Sequence, residues 1–377
     1  MRKTINIGDL GTIITGKTPP TTNKNYYGDY AVFIKPTDIS EQSKYTYETE
    51  EMYSKLAAEK YESSLIPKGA ICVPCIGTIG TKMTMAPCDC YTNQSINSII
   101  CNENYDNEYV YYLIKNFLPG LKAYNLGTAS GREYVSKSNF EKIELVAEQD
   151  KEIQKKIGII LSRYDSLIEN YQKQIKLLEE AAQRLYKEWF IDLHFPGHET
   201  TKIVDGVPEG WEKKSITDVL EIKYGKDHKL LKEGTIPVYG TGGIMRYVEK
   251  SLFTGESVLI PRKGSLNNIM LVGGTFWTID TMFYSIPKEN NVAKIVYFYL
   301  KGVDMYSFNI GAAVPSMTVN ILSGMKLLVP NEDVKNKFEM IVSKYFIRMH
   351  SLQSQLRLLT EARDRLLPKL MSGEIEI

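Results

Sequence analysis

The sequence predicts two globular α/β or α+β domains, each followed by one long helix. A chain of 377 residues is long for a single core and suits two domains. Its second half repeats the first, and each repeat ends in a segment whose apolar residues recur in steps of three and four. We predict a domain at 1–147, a helix at 148–190, a linker at 191–206, a second domain at 207–331, and a second helix with its tail at 332–377.

Two 17-residue stretches show the repeat most clearly. "QIKLLEEAAQRLYKEWF" begins at Gln174, "QLRLLTEARDRLLPKLM" begins at Gln355, 181 residues later, and seven of the 17 positions are identical. Upstream, "VYYLIK" at Val110 matches "VYFYLK" at Val296, and Gly69 matches Gly255, both at an offset of 186. Small differences in loop length account for the drift. The whole chain is therefore predicted to be two copies of one unit.

An apolar stripe follows each predicted helix. It runs from Ile153 to Trp189 in the first copy and from Val334 to Leu370 in the second, where only Arg363 interrupts it. This spacing is that of a coiled-coil seam. Two matched seams in one chain most simply pack on each other. If they pair as an antiparallel coiled coil, a pseudo-two-fold axis relates the two domains, and duplex DNA has the same symmetry.

Short β-type runs alternate with Gly and Pro turns in each globular copy. Helices are predicted near residues 107–117 and 291–301. The formal charge of +1 gives no overall basic signature, so any contact with DNA depends on local patches. The odd number of cysteines, five, favours a reducing compartment, and no apolar run reaches membrane-spanning length. We expect a cytoplasmic protein with no membrane partner.

Taken together, these motifs resemble the specificity subunit of type I restriction–modification systems over nearly the whole chain. The resemblance is carried by the first long helix with the preceding "IELVAEQD", by the linker ending "VPEGWEKKSI", and by the C-terminal "LRLLTEARDRLLPKLMSGEIEI". In addition, "GESVLIPRKGSLNNIMLVGGTFWTIDTMFYS" is similar to one class of target-recognition domain, and "TGKTPPT" followed by "IKPTDIS" is similar to another.

The resemblance implies a non-catalytic subunit that reads a bipartite, asymmetric site in double-stranded DNA. Each domain would read one half-site, and the helix pair would set the gap and hold two modification subunits. Those subunits would bind S-adenosylmethionine and methylate adenine, and a restriction subunit, where present, would use ATP and Mg. The chain contains no Asn-Pro-Pro or Asp-Pro-Pro motif of an adenine methyltransferase. We therefore expect no cofactor, no methyl transfer and no ATP hydrolysis in this chain.

The candidate DNA-reading residues lie in polar, Gly-flanked turns, because Arg, Lys, Asn, Gln, Ser and Thr contact bases and phosphates. Arg132 and Arg262 are the strongest candidates, since Arg reads guanine bidentately. In the second copy the candidates are Tyr239, Thr241, Arg262, Lys263, Ser265, Asn267 and Asn268, with Asp280 and Thr281 weaker. In the first copy they are Lys17, Thr18, Thr78, Thr81, Lys82, Asn93, Gln94, Ser130 and Arg132.

Four apolar residues close the two helices: Trp189, Phe190, Leu370 and Met371. They complete the local core or anchor a modification subunit, since aromatic anchors dominate interfaces.

Three alternatives remain open at the level of sequence. The first is a scaffold in which two protein-binding domains are held apart by a coiled coil. The second is a metal nuclease that uses Asp205, Glu212 and Lys214. The third is a zinc site among Cys72, Cys75, Cys88, Cys90 and Cys101. Because the second copy contains no cysteine yet should fold alike, with Val258 opposite Cys72, we expect no metal.

Overall fold

The computed structural model describes residues 2–127, 133–308 and 316–377. Its contacts divide the chain into two units, one made of Met1–Lys173 with Leu352–Ile377 and the other of Gln174–Ser351. Each unit therefore holds one globular domain, the beginning of the long helix that follows that domain, and the end of the other long helix.

The globular domain of the first unit is built on two four-stranded sheets. Their strand orders are β2-β9-β6-β7 and β3-β5-β4-β8, and β1 pairs with β10 beside them. The elements are β1 (Arg2–Asn6), β2 (Gly11–Thr15), β3 (Tyr27–Gly28), β4 (Ala31–Ile34), β5 (Met52–Tyr53), α1 (Lys55–Lys60), β6 (Ile71–Pro74), β7 (Thr84–Met85), β8 (Tyr91–Thr92), β9 (Ile96–Cys101), α2 (Asn107–Phe117), α3 (Lys137–Glu141), β10 (Glu144–Glu148) and the long helix α4 (Lys151–Tyr186).

The second domain has the same kind of framework. Its four-stranded sheets have the orders β14-β21-β18-β19 and β16-β15-β20-β17, and β13 pairs with β22. The elements are β11 (Ile203–Val204), β12 (Val207–Pro208), β13 (Glu212–Ser215), α5 (Ile216–Val219), β14 (Leu220–Tyr224), β15 (Glu233–Gly240), β16 (Gly243–Val248), β17 (Phe253–Thr254), β18 (Ser257–Pro261), β19 (Met270–Val272), β20 (Thr275–Thr278), β21 (Met282–Pro287), α6 (Ala293–Lys301), α7 (Val319–Gly324), β22 (Lys326–Val329) and the long helix α8 (Glu332–Ser372).

One sheet of the first domain corresponds strand by strand to a sheet of the second, which confirms the predicted repeat and the mixed α/β class. Sheet β2-β9-β6-β7 corresponds to β14-β21-β18-β19 in order and in antiparallel pairing. In each domain the other sheet contains one parallel pair, β4 with β8 and β15 with β20. The ladders β1-β10 and β13-β22 connect the start of each domain to the strand that leads into its long helix.

The first long helix begins later than predicted and continues, through a final π-helical turn, to one residue beyond its predicted end. Glu148 is still paired in β10, so it cannot be helical. Asp150 caps the helix, because its carboxylate accepts a hydrogen bond from the backbone N–H two residues on (2.9 Å). After α4 ends at Tyr186, Lys187–Ile191 forms a π-helical turn. The second helix begins at Glu332, as predicted.

The two helices pair antiparallel, as contacts within the second unit show. Near the middle of α4, Gln174 accepts a hydrogen bond from Arg348 (3.2 Å). Further along, the rings of Tyr186 and Trp189 lie 6.4 Å and 5.8 Å from the ring of Phe338. As α4 advances, its contacts move back along α8. The antiparallel pairing predicted from the matched stripes is therefore confirmed.

Arg363, the residue that interrupts the second stripe, lies in a buried polar network of the first unit. Its Nη1 lies 2.5 Å from the Asp165 carboxylate of α4, and both side chains are less than a tenth exposed. The hydroxyl of Tyr112 donates to the other oxygen of the same carboxylate (2.5 Å). Asp165 is the partner of this guanidinium inside the core. The apolar stripe is therefore interrupted by a buried ion pair.

The equivalent positions of the second unit are apolar. At the offsets of the repeat, Phe298, Phe346 and Ala182 stand where the first unit has Tyr112, Asp165 and Arg363. The two phenylalanine rings lie 6.1 Å apart, and the fully buried Ala182 borders a cavity of about 230 Å³ beside them. One place in the fold is thus occupied by an ion pair in one copy and by aromatic packing in the other.

Candidate nucleic-acid interface

Arg262 follows β18 and is held at the turn between β20 and β21. Its backbone N–H donates to the carbonyl of Thr281 (2.8 Å), and its Nη1 donates to the carbonyl of Asp280 (3.2 Å). Its guanidinium lies 5.2 Å from the centre of the half-exposed Tyr224 ring. Stacking on an aromatic ring orients a planar guanidinium while leaving other N–H groups free to bind a partner. Arg262 is therefore a positioned and accessible cation.

The rest of this loop divides into exposed and anchored side chains. Lys263 and Ser265 are exposed, as predicted. Asn267 accepts a hydrogen bond from the backbone of Met305 (2.8 Å) and donates to Asp304 (3.2 Å). Both the amide oxygen and the amide nitrogen of Asn267 have a partner within the protein, so this side chain shapes the loop.

Two further candidates of the second domain are also tied into its structure. The side chain of Asn268 donates to the carbonyl of Thr241 (2.6 Å), which joins the two predicted loops. Tyr239 packs its ring edge-on against Phe276, with 6.1 Å between the ring centres. Burial raises the pKa of the Tyr239 phenol. The sequence predicts that these residues lie on one surface. In the structure Asn268 and Tyr239 make contacts within the domain that stabilise this surface.

A Gly-Lys turn lies beside Arg262. The N–H of Gly225 donates to Met282 and the N–H of Lys226 donates to Thr278, both at 2.9 Å. The carbonyl of Lys226 accepts a hydrogen bond from the indole N–H of Trp277 (2.9 Å). The backbone of Lys226 is thereby fixed while its side chain is exposed.

The first domain contains the same turn. The N–H of Gly16 donates to Ile96 (3.2 Å), and the N–H of Lys17 donates to Thr92 (2.9 Å). The carbonyl of Lys17 accepts a hydrogen bond from the hydroxyl of Tyr53 (2.6 Å), and its Nζ reaches the Ser63 hydroxyl (3.3 Å). Lys17 is exposed, as predicted.

The candidates nearest to this turn in the first domain are Thr18, Asn93 and Gln94. The hydroxyl of Thr18 is hydrogen-bonded to the side chain of Gln94, and both residues are exposed. Asn93 accepts a hydrogen bond from the backbone of Ser95 (3.0 Å), so its side chain shapes the turn. The structure thus brings Lys17, Thr18 and Gln94 together.

The remaining candidates of the first domain lie elsewhere. Thr81 is exposed, and Thr78 and Lys82 are partly exposed, in the loop between β6 and β7. Ser130 and Arg132 lie outside the residues that the structure describes.

The apolar residues at the helix ends belong to the cores. Trp189 and Phe190 pack in the core of the second unit, and Leu370 and Met371 pack in the core of the first. None of the four is more than 6% exposed. An anchor for another subunit has to present its side chain at the surface, so the core explanation is the correct one and these residues are not partner contacts.

Comparison with known protein families decides the assignment. The sequence model of the family described as "Type I restriction modification DNA specificity domain" matches residues 2–180 and 208–356. The chain belongs to this family. The two matched segments contain the two globular domains, which are its target-recognition domains.

Individual relatives agree. The chain is 26% identical to the type I restriction enzyme MjaIX specificity subunit of Methanocaldococcus jannaschii, over 98% of this chain and 93% of that protein. It is 38% identical over 165 residues to the HindI specificity subunit of Haemophilus influenzae, a match that covers 42% of this chain and 35% of the other. The fold is similar to the crystal structure of the type I S subunit from M. genitalium, with a TM-score of 0.65, 18% identity and coverage of 98% and 96%. The family match and the likeness to the MjaIX specificity subunit favour the specificity-subunit interpretation over the scaffold.

One stretch of this specificity subunit matches the spacing of an ATP-binding phosphate loop. "GTIITGKT" at Gly11–Thr18 has the pattern Gly-x-x-x-x-Gly-Lys-Thr. In a phosphate loop these residues form a turn between a strand and a helix. Here Gly11–Thr15 is itself strand β2, paired with β9, and the residues after Lys17 form no helix until Lys24. This stretch therefore lacks the strand–turn–helix context of a phosphate loop, and the absence of ATP hydrolysis stays a prediction.

Cys72, Cys75 and Cys90 are buried among the residues that they pack against. Burial raises the pKa of the Cys72 and Cys75 thiols to about 12, because the surrounding protein disfavours the charged thiolate. Among the residues that the structure describes, no group of His, Cys, Asp and Glu could hold a metal ion. Pro74 pairs with Ile96 and Pro261 with Met282, so the copies align here at an offset of 187. Leu259, rather than the predicted Val258, therefore lies opposite Cys72.

Alkylation tests this assignment. At pH 8 iodoacetamide is expected to modify the exposed Cys88 first and to modify Cys72, Cys75 and Cys90 only after denaturation, because these three are buried thiols. Mass spectrometry of the native protein after timed labelling measures the order. Fast labelling of Cys75, or protection of Cys88 by added zinc, would contradict it.

The residues of the nuclease alternative have structural roles. Asp205 and Gly206, both at positive φ, form the two-residue turn of the hairpin β11-β12. Lys214 forms ion pairs with Glu289 (2.6 Å) and Glu212 (3.1 Å). A turn aspartate and a lysine engaged in ion pairs give no reason to place a catalytic metal here.

Sequence reasoning missed Lys226 and Tyr224, which lie beside Arg262 in the second domain. We call the surface formed by Tyr224, Lys226 and Arg262 the recognition face of this domain. The available signal was the dipeptide Gly-Lys, which occurs after the first core strand of both copies, at residues 16–17 and 225–226.

No helix in the described part of the chain is long and apolar enough to cross a membrane.

Proposed function

We propose that the two target-recognition domains read the two unlike halves of a bipartite, asymmetric DNA site. The pair of long helices sets the length of the unread gap between the halves. The chain itself carries out no chemistry. It directs two modification subunits, which bind S-adenosylmethionine and methylate adenine, and, where the system has one, a restriction subunit that uses ATP and Mg. Its cytoplasmic location stays a prediction.

One observation above all supports the proposal that the two domains read unlike half-sites. Cys75 and Arg262 occupy the same place in the two domains. The backbone N–H of each donates to the turn that precedes β9 or β21, and the carbonyl of each accepts a hydrogen bond of 2.9 Å from a residue just before α3 or α7, Val135 or Met317. In one domain this place holds a buried thiol, and in the other it holds an accessible guanidinium that can read guanine. Equivalent frameworks with unlike reading residues suit an asymmetric site.

Methylation mapping tests the proposal. The chain is co-expressed with the modification subunit of its own system in a host without adenine methylation, and the host DNA is sequenced with methylated adenine read directly. A split motif methylated on both strands is the expected result. Residues 1–146 are then replaced by the corresponding segment of another specificity subunit, and only one half of the motif should change.

Two results would contradict the proposal. A stable complex that methylates no defined motif would remove the role in DNA specificity. A replacement of residues 1–146 that changes both halves would show that the domains do not read independently. The modification subunit expressed alone is the control, because it should methylate no motif.

A further inference from the structure

The Gly-Lys turn is the feature that the two recognition domains share most closely. In both domains the N–H of Lys donates to a threonine, Thr92 or Thr278, that ends a strand of the parallel pair. The two threonines are 186 residues apart, and the offset of the two lysines is 209. The turn is therefore retained although the chain between it and its acceptor differs in length by more than twenty residues.

Each turn is pressed against the strand end beneath it. A Cβ atom on Gly16 would lie 2.1 Å from the carbonyl oxygen of Thr92, and one on Gly225 would lie 2.0 Å from that of Ile279. Only glycine fits at such a separation. The Cα of the following lysine is thereby fixed relative to the sheet.

The lysine carbonyl is capped in both domains, but by different donors. Tyr53 supplies a hydroxyl in the first domain, and Trp277 supplies an indole N–H in the second. These two residues come from different strands, β5 and β20. Two unrelated side chains that give the same restraint indicate that the position of the lysine is what the fold preserves.

The lysines lie on the same face as the residue that differs between the domains. Lys226 and Arg262 both bond to the segment 278–281 between β20 and β21, and Tyr224, whose ring faces Arg262, precedes Lys226 by two residues. Unlike half-sites have their sugar-phosphate backbone in common and their base edges different. A shared lysine is a compact point charge suited to phosphate, whereas a differing residue suits base reading.

We propose that Lys17 and Lys226 are equivalent phosphate anchors, one for each half-site, and that Arg262 beside Lys226 selects sequence. This inference rests on the proposed function. It assigns a sequence-independent role to the residues that the copies share and a sequence-dependent role to the place where they differ.

The test uses the complete complex of the chain with its modification subunits. Binding is measured against salt concentration on a duplex with the mapped site and on an unrelated duplex. For Lys226→Ala we expect weaker binding to both duplexes and a salt slope smaller by about 0.9, the value for one lost phosphate contact. The methylated motif should not change. Lys17→Ala should behave alike, and Lys226→Arg should retain the slope.

Two variants serve as matched comparisons. Lys250→Ala removes another exposed lysine of the same domain. Lys250 follows the C-terminal end of β16, whereas Thr241 precedes the other end of this strand. This variant should leave the salt dependence of binding unchanged. Arg262→Ala should relax one half of the motif, with a loss of discrimination of roughly 5- to 150-fold at the affected position.

A changed motif with an unchanged salt slope for Lys226→Ala would overturn the inference, and so would a slope equal to that of Lys250→Ala. Both results leave the proposed function standing, because the unaltered complex still methylates its split motif. If the unaltered complex methylates no defined motif, the proposed function itself fails.

Discussion

Arg363→Ala is expected to lower the free energy of unfolding of the first unit by about 3–5 kcal/mol. The substitution leaves the carboxylate of Asp165 buried without its guanidinium, with the hydroxyl of Tyr112 as the remaining partner within hydrogen-bonding distance. Hydrogen exchange of the amides in α2, which carries Tyr112, measures the effect. All three tryptophans of the chain, Trp189, Trp211 and Trp277, lie in the second unit, so the denaturation midpoint by tryptophan fluorescence is the internal control.

The second copy supplies a matched variant. Replacing the three residues together by their counterparts, as Tyr112→Phe, Asp165→Phe and Arg363→Ala, removes the buried charge as well as its partner. Apolar replacement of a whole buried ion pair is often neutral or stabilising. The triple variant should therefore be more stable than Arg363→Ala alone. Equal destabilisation by both would show that packing volume, rather than the unpaired charge, dominates at this place.

Gly225→Ala is expected to abolish recognition of one half-site while leaving the other. The added Cβ would lie 2.0 Å from the carbonyl oxygen of Ile279, so the turn must move away from the strand and carry with it Tyr224, the residue on whose ring the guanidinium of Arg262 lies. Overpacking of this kind costs about 1–3 kcal/mol. Methylation mapping should show loss or relaxation of the half read by the second domain. Gly16→Ala should do the same for the half read by the first.

Gly242→Ala is the control for this experiment. Gly242 lies in the neighbouring turn between β15 and β16, and a Cβ there meets nothing within 4 Å. Its methylated motif should match that of the unaltered complex. A Gly225→Ala complex with a normal motif would show that the turn does not position the recognition face.

The helices and the repeat could be predicted because the sequence shows both directly, as apolar residues in steps of three and four and as similar stretches at a nearly constant offset. The apolar stripes, the offset of 181 between the two 17-residue stretches and the start of α8 at Glu332 all follow from sequence. The beginning of α4 could not be predicted as well, since glutamate is compatible with a helix and only the pairing of Glu148 in β10 excludes it from the helix.

The recognition face could be predicted only in part. Polar, Gly-flanked turns marked Arg262 and Lys17 as candidates, and in the structure Lys17 is exposed and Arg262 is partly exposed. Composition cannot tell a free amide from one that is used internally, and Asn267 and Asn268 are used internally. Lys226 was missed because the loops that follow the two Gly-Lys turns differ in length, which hides the correspondence from a fixed offset.

By itself the sequence determined the duplicated architecture, the two long helices and the family, because periodicity and repetition are local properties that survive without coordinates. Only the tertiary structure decided the roles of the individual residues that depart from the repeat or lie at its ends. Arg363 breaks a stripe because Asp165 lies opposite it, and Trp189 is a core residue because the core of the second unit, including the distant Phe338, encloses it. Cys75 and Arg262 share one place because backbone hydrogen bonds align them. Such roles depend on partners brought together only by folding, and no spacing along the chain encodes them.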